Sequence, residues 1–161
     1  TYLIVQHMPS GFTKSLAERI NASARLVVKE AEDGEVLKKG TAYIAPGGYH
    51  LLVKDDRVPK IKLSKSPPVK GHRPSVNQML FSLAKLKIPK KIVGVIMTGM
   101  GSDGVEGFTC LKKKYDIPII AQDEVSCVVY GMPRAVVQAG IATKVVPLQQ
   151  IANEIIRFVG V

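Results

Sequence analysis

The chain has 161 residues, 46% of them apolar, with 23 basic against 13 acidic side chains and a net charge of +10. That length suits a single domain over residues 1–161, with core enough to stand without staples. Its two cysteines, Cys110 and Cys127, show neither C-x-x-C spacing nor a nearby histidine cluster; this argues against a disulfide framework or zinc site and suits a reducing compartment.

The first residues, Tyr2–Val5, read as a strand. A fold rarely begins so abruptly, and we expect the natural protein to continue upstream. Phe12, Leu16, Ala17 and Ile20 share one helical face, which predicts a helix over 12–23. Leu26–Lys29 and Thr41–Ala45 read as strands separated by a Glu32-Asp-Gly34 turn. Pro46-Gly-Gly48 turns tightly into hairpin material over 49–63, with Lys54–Arg57 as its turn. After a polar loop, Ser64–Gly71, Pro74 fits the first turn of a helix whose apolar face is Met79, Leu80, Leu83 and Leu86. Ile92–Met97 is predicted as a buried strand, 103–114 as a helix and Ile117–Ala121 as a strand. Pro133 opens a helix ended by Gly140, Ile141–Val146 is a strand, and Leu148–Val159 is a final amphipathic helix. The alternation predicts an α/β fold: a doubly wound, mostly parallel sheet with helices on both faces and an inserted antiparallel hairpin. In such sheets ligands bind beyond the carboxyl ends of the strands, where the segments 6–8, 99–104 and 122–124 are expected to converge.

The segment after the strand at 92–97 is Gly99-Met-Gly-Ser-Asp-Gly104. Its glycine spacing matches a dinucleotide-binding loop, with Asp123 near the distance expected of a ribose ligand. Against a nucleotide-binding module stands Asp103, a carboxylate at the helix start where a pyrophosphate would have to sit. A plainer reading makes Asp103 the cap of the following helix. A third pairs it with His7, after the first strand. A carboxylate beside an imidazole fixes the tautomer and stabilises the charged ring, as a base in acyl transfer requires. Gly99 and Gly101 flank Met100 and permit a turn that aims its amide at an oxyanion, with Gly104 completing the loop.

The positive charge favours acidic partners. It concentrates between Lys54 and Lys70, at Lys85, Lys87, Lys90 and Lys91, and at Lys112–Lys114. No helix-turn-helix, zinc-finger or RNP signature points to nucleic acid. No apolar run approaches the ~18–20 residues of a membrane span, so no membrane insertion is expected. No motif calls for a cofactor or a metal.

Five blocks occur in order: VQHMPSGFT from Val5 to Thr13, YIAPGGYH from Tyr43 to His50, HRPSV from His72 to Val76, MTGMGSDG from Met97 to Gly104, and QDE at Gln122–Glu124 with YGMP at Tyr130–Pro133. Together they resemble the catalytic domain of the chemotaxis protein-glutamate methylesterases, the CheB family, over nearly the whole chain. The resemblance implies a Ser-His-Asp hydrolase, acting in the cytoplasm, that cleaves glutamate methyl esters and deamidates glutamines on the helices of methyl-accepting chemoreceptors. It also implies an upstream receiver domain that restrains the esterase. Matched by motif, His7 is the triad histidine, Asp103 the triad aspartate and the Met100 amide an oxyanion donor. The family's serine lies in a G-x-S-T-G-G turn, and no such turn occurs in these residues. Ser75, at a helix start, and Ser102, beside Asp103, are poor substitutes, so no nucleophile is assigned and the chain alone is expected to be inactive. Arg73 either contacts the acidic receptor helix or braces the crevice, while His50 and His72 are expected to fix loops. Asn77 stands where the family pattern has Asp. A non-catalytic receptor-binding domain is the remaining alternative.

Overall fold

The computed structural model describes residues 1–55, 57–87 and 91–160. The chain divides into two compact units, Thr1–Ile88 and Pro89–Val161. The first runs β1 (Tyr2–Ile4), α1 (Phe12–Asn21), β2 (Val27–Glu30), β3 (Thr41–Ile44), β4 (His50–Lys54), β5 (Lys60–Ser64) and α2 (Val76–Lys85). The second runs β6 (Gly94–Ile96), α3 (Val105–Tyr115), β7 (Ile119–Gln122), α4 (Met132–Gln138), β8 (Lys144–Val146) and α5 (Leu148–Val159).

Each unit holds a parallel three-stranded sheet, ordered β1-β3-β2 in the first and β6-β7-β8 in the second. The middle strands β3 and β7 are buried along their whole length, the pattern of parallel strands covered on both faces. Their neighbours are partly wet, as at Val27 of β2 and Val145 of β8. In the first unit Ala17 of α1 packs with Val28, Ala42 and Ile44. In the second, Ile151 of α5 packs with Ile120 and Val146, and Ile155 and Phe158 extend the contact. Gly94 is needed on β6 because a Cβ there would lie 2.5 Å from the Phe108 ring of α3.

β4 and β5 form the expected antiparallel hairpin. Position 56 of its expected turn lies outside the described residues. Asp33 ties the preceding turn to this hairpin: its carboxylate accepts the Leu63 N–H at 2.7 Å and the Lys62 ammonium at 2.9 Å. Both bonds hold the Asp33 carboxyl below its usual range, the lysine first. α2 lies on β4, and Ser82 joins them by accepting the Val53 N–H at 2.9 Å.

The α/β class, the parallel pairing and the hairpin match the reading of the sequence; several boundaries do not. α1 ends at Asn21 rather than 23. α2 starts at Val76, because Ser75 is extended at φ −124°, ψ 135°, and Pro74 therefore precedes the helix. α3 starts at Val105, because Gly104 has φ 103°, outside the helical region. The strands β6, β7 and β8 are shorter than their apolar runs. α5 spans the expected residues. Among the described residues, no helix is long and apolar enough to cross a membrane, and no group of acidic, His and Cys side chains is arranged to hold a metal.

Candidate active site

In the first unit, β1 delivers the chain to His7, where it turns sharply. The Met8 N–H reaches back to the Gln6 carbonyl at 2.8 Å, and His7 has no positive φ. This is an inverse γ-turn, common at strand ends, with His7 at its centre. The Pro46-Gly47-Gly48 turn backs the loop that follows. A Cβ on Gly47 would lie 2.4 Å from the Pro9 carbonyl, so only glycine allows that approach. The Gly47 N–H donates to the Thr13 hydroxyl at 3.0 Å, and that buried hydroxyl donates to Glu30 at 2.5 Å.

The His7 ring lies against His72, with centroids 4.1 Å apart and planes inclined by 37°. His72 is anchored by its backbone, which exchanges two hydrogen bonds with Val69, and the next carbonyl, of Arg73, accepts the Gly48 N–H at 3.1 Å. The Arg73 Nη1 donates to the carbonyls of Lys65 and Ser66 at 3.0 and 3.2 Å. His50 is fully buried, and its Nε2 meets the Pro67 carbonyl at 3.1 Å. A carbonyl only accepts, so Nε2 carries a proton. These contacts fasten the 65–73 segment beside His7.

In the second unit, the parallel register of β6 and β7 sets their carboxyl ends side by side. Gln122, 1% exposed, ends β7 and joins the neighbouring loops. Its Oε1 accepts the Thr98 N–H at 2.9 Å and its Nε2 donates to the Ser126 carbonyl at 2.7 Å. The Thr98 hydroxyl in turn accepts the Val129 N–H at 2.9 Å. Gly101 has φ 86° and turns the chain after Met100, whose side chain is 80% exposed. Asp103 is 3% exposed. The Asp123 carboxylate accepts the Ser126 N–H and hydroxyl at 3.0 and 2.6 Å, so it serves the loop beside β7.

The structure thus places His7 and Arg73 in the first unit and Asp103, Met100, Gly99, Gly101 and Gly104 in the second. The N-cap of α3 is Gly104, and Asp103 lies one residue before it. Ser75 does occupy an N-cap, but its hydroxyl makes no capping bond and the residue is fully buried. Asn77 is also fully buried, where an amide avoids the cost of a buried charge. Sequence reasoning missed the ring contact between His7 and His72 and the clamp made by Gln122. Both depend on loops whose path no periodicity encodes. The one available signal was that His72 opens HRPSV and Gln122 opens QDE among the quoted motifs.

A family model described as CheB methylesterase matches residues 1–155. A protein-glutamate methylesterase/protein-glutamine glutaminase of Geobacillus kaustophilus is 52% identical over 157 residues, covering 97% of this chain and 45% of that protein. One of the same description from Pyrococcus horikoshii is 43% identical over 160 residues, covering 99% and 43%. The chain therefore spans about half the length of the curated relatives it matches. Among solved structures, the CheB methylesterase catalytic domain of Thermotoga maritima superposes with a TM-score of 0.91 at 44% identity, covering 96% of this chain and 82% of that one.

Proposed function

Because the chain belongs to the CheB methylesterase family, we propose that it is the catalytic domain of a protein-glutamate methylesterase and glutamine deamidase, supplying every part of the machinery but the nucleophile. The observation that carries this reading is a buried carboxylate, Asp103, just after the Gly99-Met-Gly101 loop, which turns at Gly101 with φ 86°. His7, held at the centre of a turn after β1, supports it from the other unit.

In the proposed mechanism His7 takes the proton of a serine carried by an upstream G-x-S-T-G-G turn as that oxygen attacks the glutamyl ester carbonyl. Asp103 orients His7 and stabilises its cationic form. The Met100 N–H binds the developing oxyanion. His7 then protonates the departing methoxide, and methanol leaves. Water activated by His7 releases glutamate and restores the serine. With a glutamine the leaving group is ammonia. The substrates are the helices of methyl-accepting chemoreceptors, in the cytoplasm, and an upstream receiver domain restrains the esterase. Arg73 braces the 65–66 segment through Nη1, so any contact with the receptor falls to the rest of its guanidinium.

The test is methanol release from methylated receptor by the chain extended upstream through its serine turn. Methanol and glutamate should appear in equal amounts. Salt-sensitive receptor binding without turnover would replace the proposal with a binding domain. Micromolar NAD or ATP binding, lost in Gly101→Val, would replace it with a nucleotide module.

A further inference from the structure

An oxyanion donor on a backbone amide cannot be aimed by choosing a rotamer; the peptide itself has to be held. We propose that Gly131 is the positioning residue for the Met100 amide, its missing side chain letting the 129–132 segment close directly on the Gly99–Met100 peptide. The inference rests on the esterase reading above.

The Gly99 carbonyl accepts two N–H groups, from Gly131 at 3.1 Å and Met132 at 2.7 Å. The Gly99 N–H donates to the Val129 carbonyl at 3.0 Å. In a planar trans peptide the N–H points opposite to the carbonyl. With its carbonyl held by residues 131 and 132, the Gly99–Met100 unit therefore turns the Met100 N–H away from them.

Gly131 has φ −96°, an angle open to any residue, so backbone freedom does not explain a glycine there. Close approach does. A Cβ on residue 131 would lie 2.6 Å from the Gly99 carbonyl oxygen, 2.9 Å from the Gly101 nitrogen and 3.1 Å from the Met100 Cα. All three are backbone atoms of the donor loop, and none can swing aside. Gly99 differs: its Cβ would meet the Met132 sulfur at 2.6 Å, near the end of a flexible side chain. Thr98 is a second fastener, since its hydroxyl accepts the Val129 N–H at 2.9 Å and donates to the Val129 carbonyl at 3.2 Å.

An added methyl at 131 must push the donor loop outward. A misplacement of about 1 Å can cost on the order of 10² in rate. In the upstream-extended protein, Gly131→Ala should lower kcat for methanol release about 10- to 100-fold and leave KM within about twofold. It should also move the Met100 amide cross-peak in a ¹H–¹⁵N spectrum. Thr98→Val, which keeps the side-chain shape, should lower kcat several-fold at unchanged KM and decides the matter if Gly131→Ala does not fold. Full kcat in either variant, a loss carried by KM, or an unmoved Met100 cross-peak would overturn the proposal. His7→Ala, run in parallel, separates the two failures. If it spares hydrolysis, the esterase reading falls. If it abolishes hydrolysis while Gly131→Ala keeps full kcat, only the role of Gly131 falls.

Discussion

Around His7 the chain is fastened largely through side chains, whereas around Met100 it is fastened largely through peptide groups. In the first, the His7 ring lies against His72, the Thr13 hydroxyl accepts the Gly47 N–H, and the Arg73 guanidinium holds the 65–66 segment that leads to His72. The second is gripped at the Gly99 N–H and carbonyl by the backbone of residues 129–132. The difference follows from what each loop has to present. An imidazole has rotamers that neighbouring side chains can select. An amide donor has only the direction of its own peptide, so the peptide itself has to be held. Substitutions around His7 should therefore grade smoothly with side-chain size, whereas the 99–101 loop should tolerate almost no change in its backbone partners.

The comparison can be broken most forcefully at the imidazole. In the upstream-extended protein His7→Ala should lower kcat on the order of 10⁶, as loss of the histidine does in a serine protease triad. Steady-state methanol release measures it, and a loss below a hundredfold would remove His7 from the mechanism. Asp103→Asn should cost about 10⁴ in kcat by the same analogy, and a drop below tenfold would make Asp103 structural. Gly47→Ala tests the first loop alone. Its new Cβ would collide with Pro9 and Ser10, so it should destabilise the protein by about 1–3 kcal/mol in denaturant titrations. The smallest effect is expected at Asp33, beside the β4–β5 hairpin. Asp33 ionises below its usual range because Lys62 and the Leu63 N–H favour its charged form. Its stabilising effect is therefore present above about pH 3.9, the ordinary aspartate value, and lost as the pH falls through the lower folded value. Asp33→Asn should lower Tm by a few degrees at pH 7, and the gap from wild type should close in strong acid. A gap that persisted at low pH would deny the carboxylate that role.

What was legible in the sequence follows the same division. The periodic elements were readable because burial imposes a repeat: the stripe of α5 fixed its ends at Leu148 and Val159, and the apolar runs located β3 and β7. His7, Met100 and Asp103 stood out because they lie in motifs rather than in periodic stretches. What holds them was not legible. The Gly131 approach, the Gln122 clamp and the His72 ring contact join residues brought together by loops, and loop paths answer to turn geometry that leaves no period. Helix starts failed for a related reason, since single backbone angles at Ser75 and Gly104 decided them.

The central claim is that these residues hold the base, its carboxylate and the oxyanion donor, while the nucleophile comes from a serine turn they do not contain. Methanol release from one methylated receptor preparation, measured for the 161 residues alone and for the upstream-extended chain, tests it most directly. The account predicts background release from the first and turnover, abolished by His7→Ala, from the second. Ester hydrolysis by the 161 residues alone, abolished by His7→Ala, would contradict it.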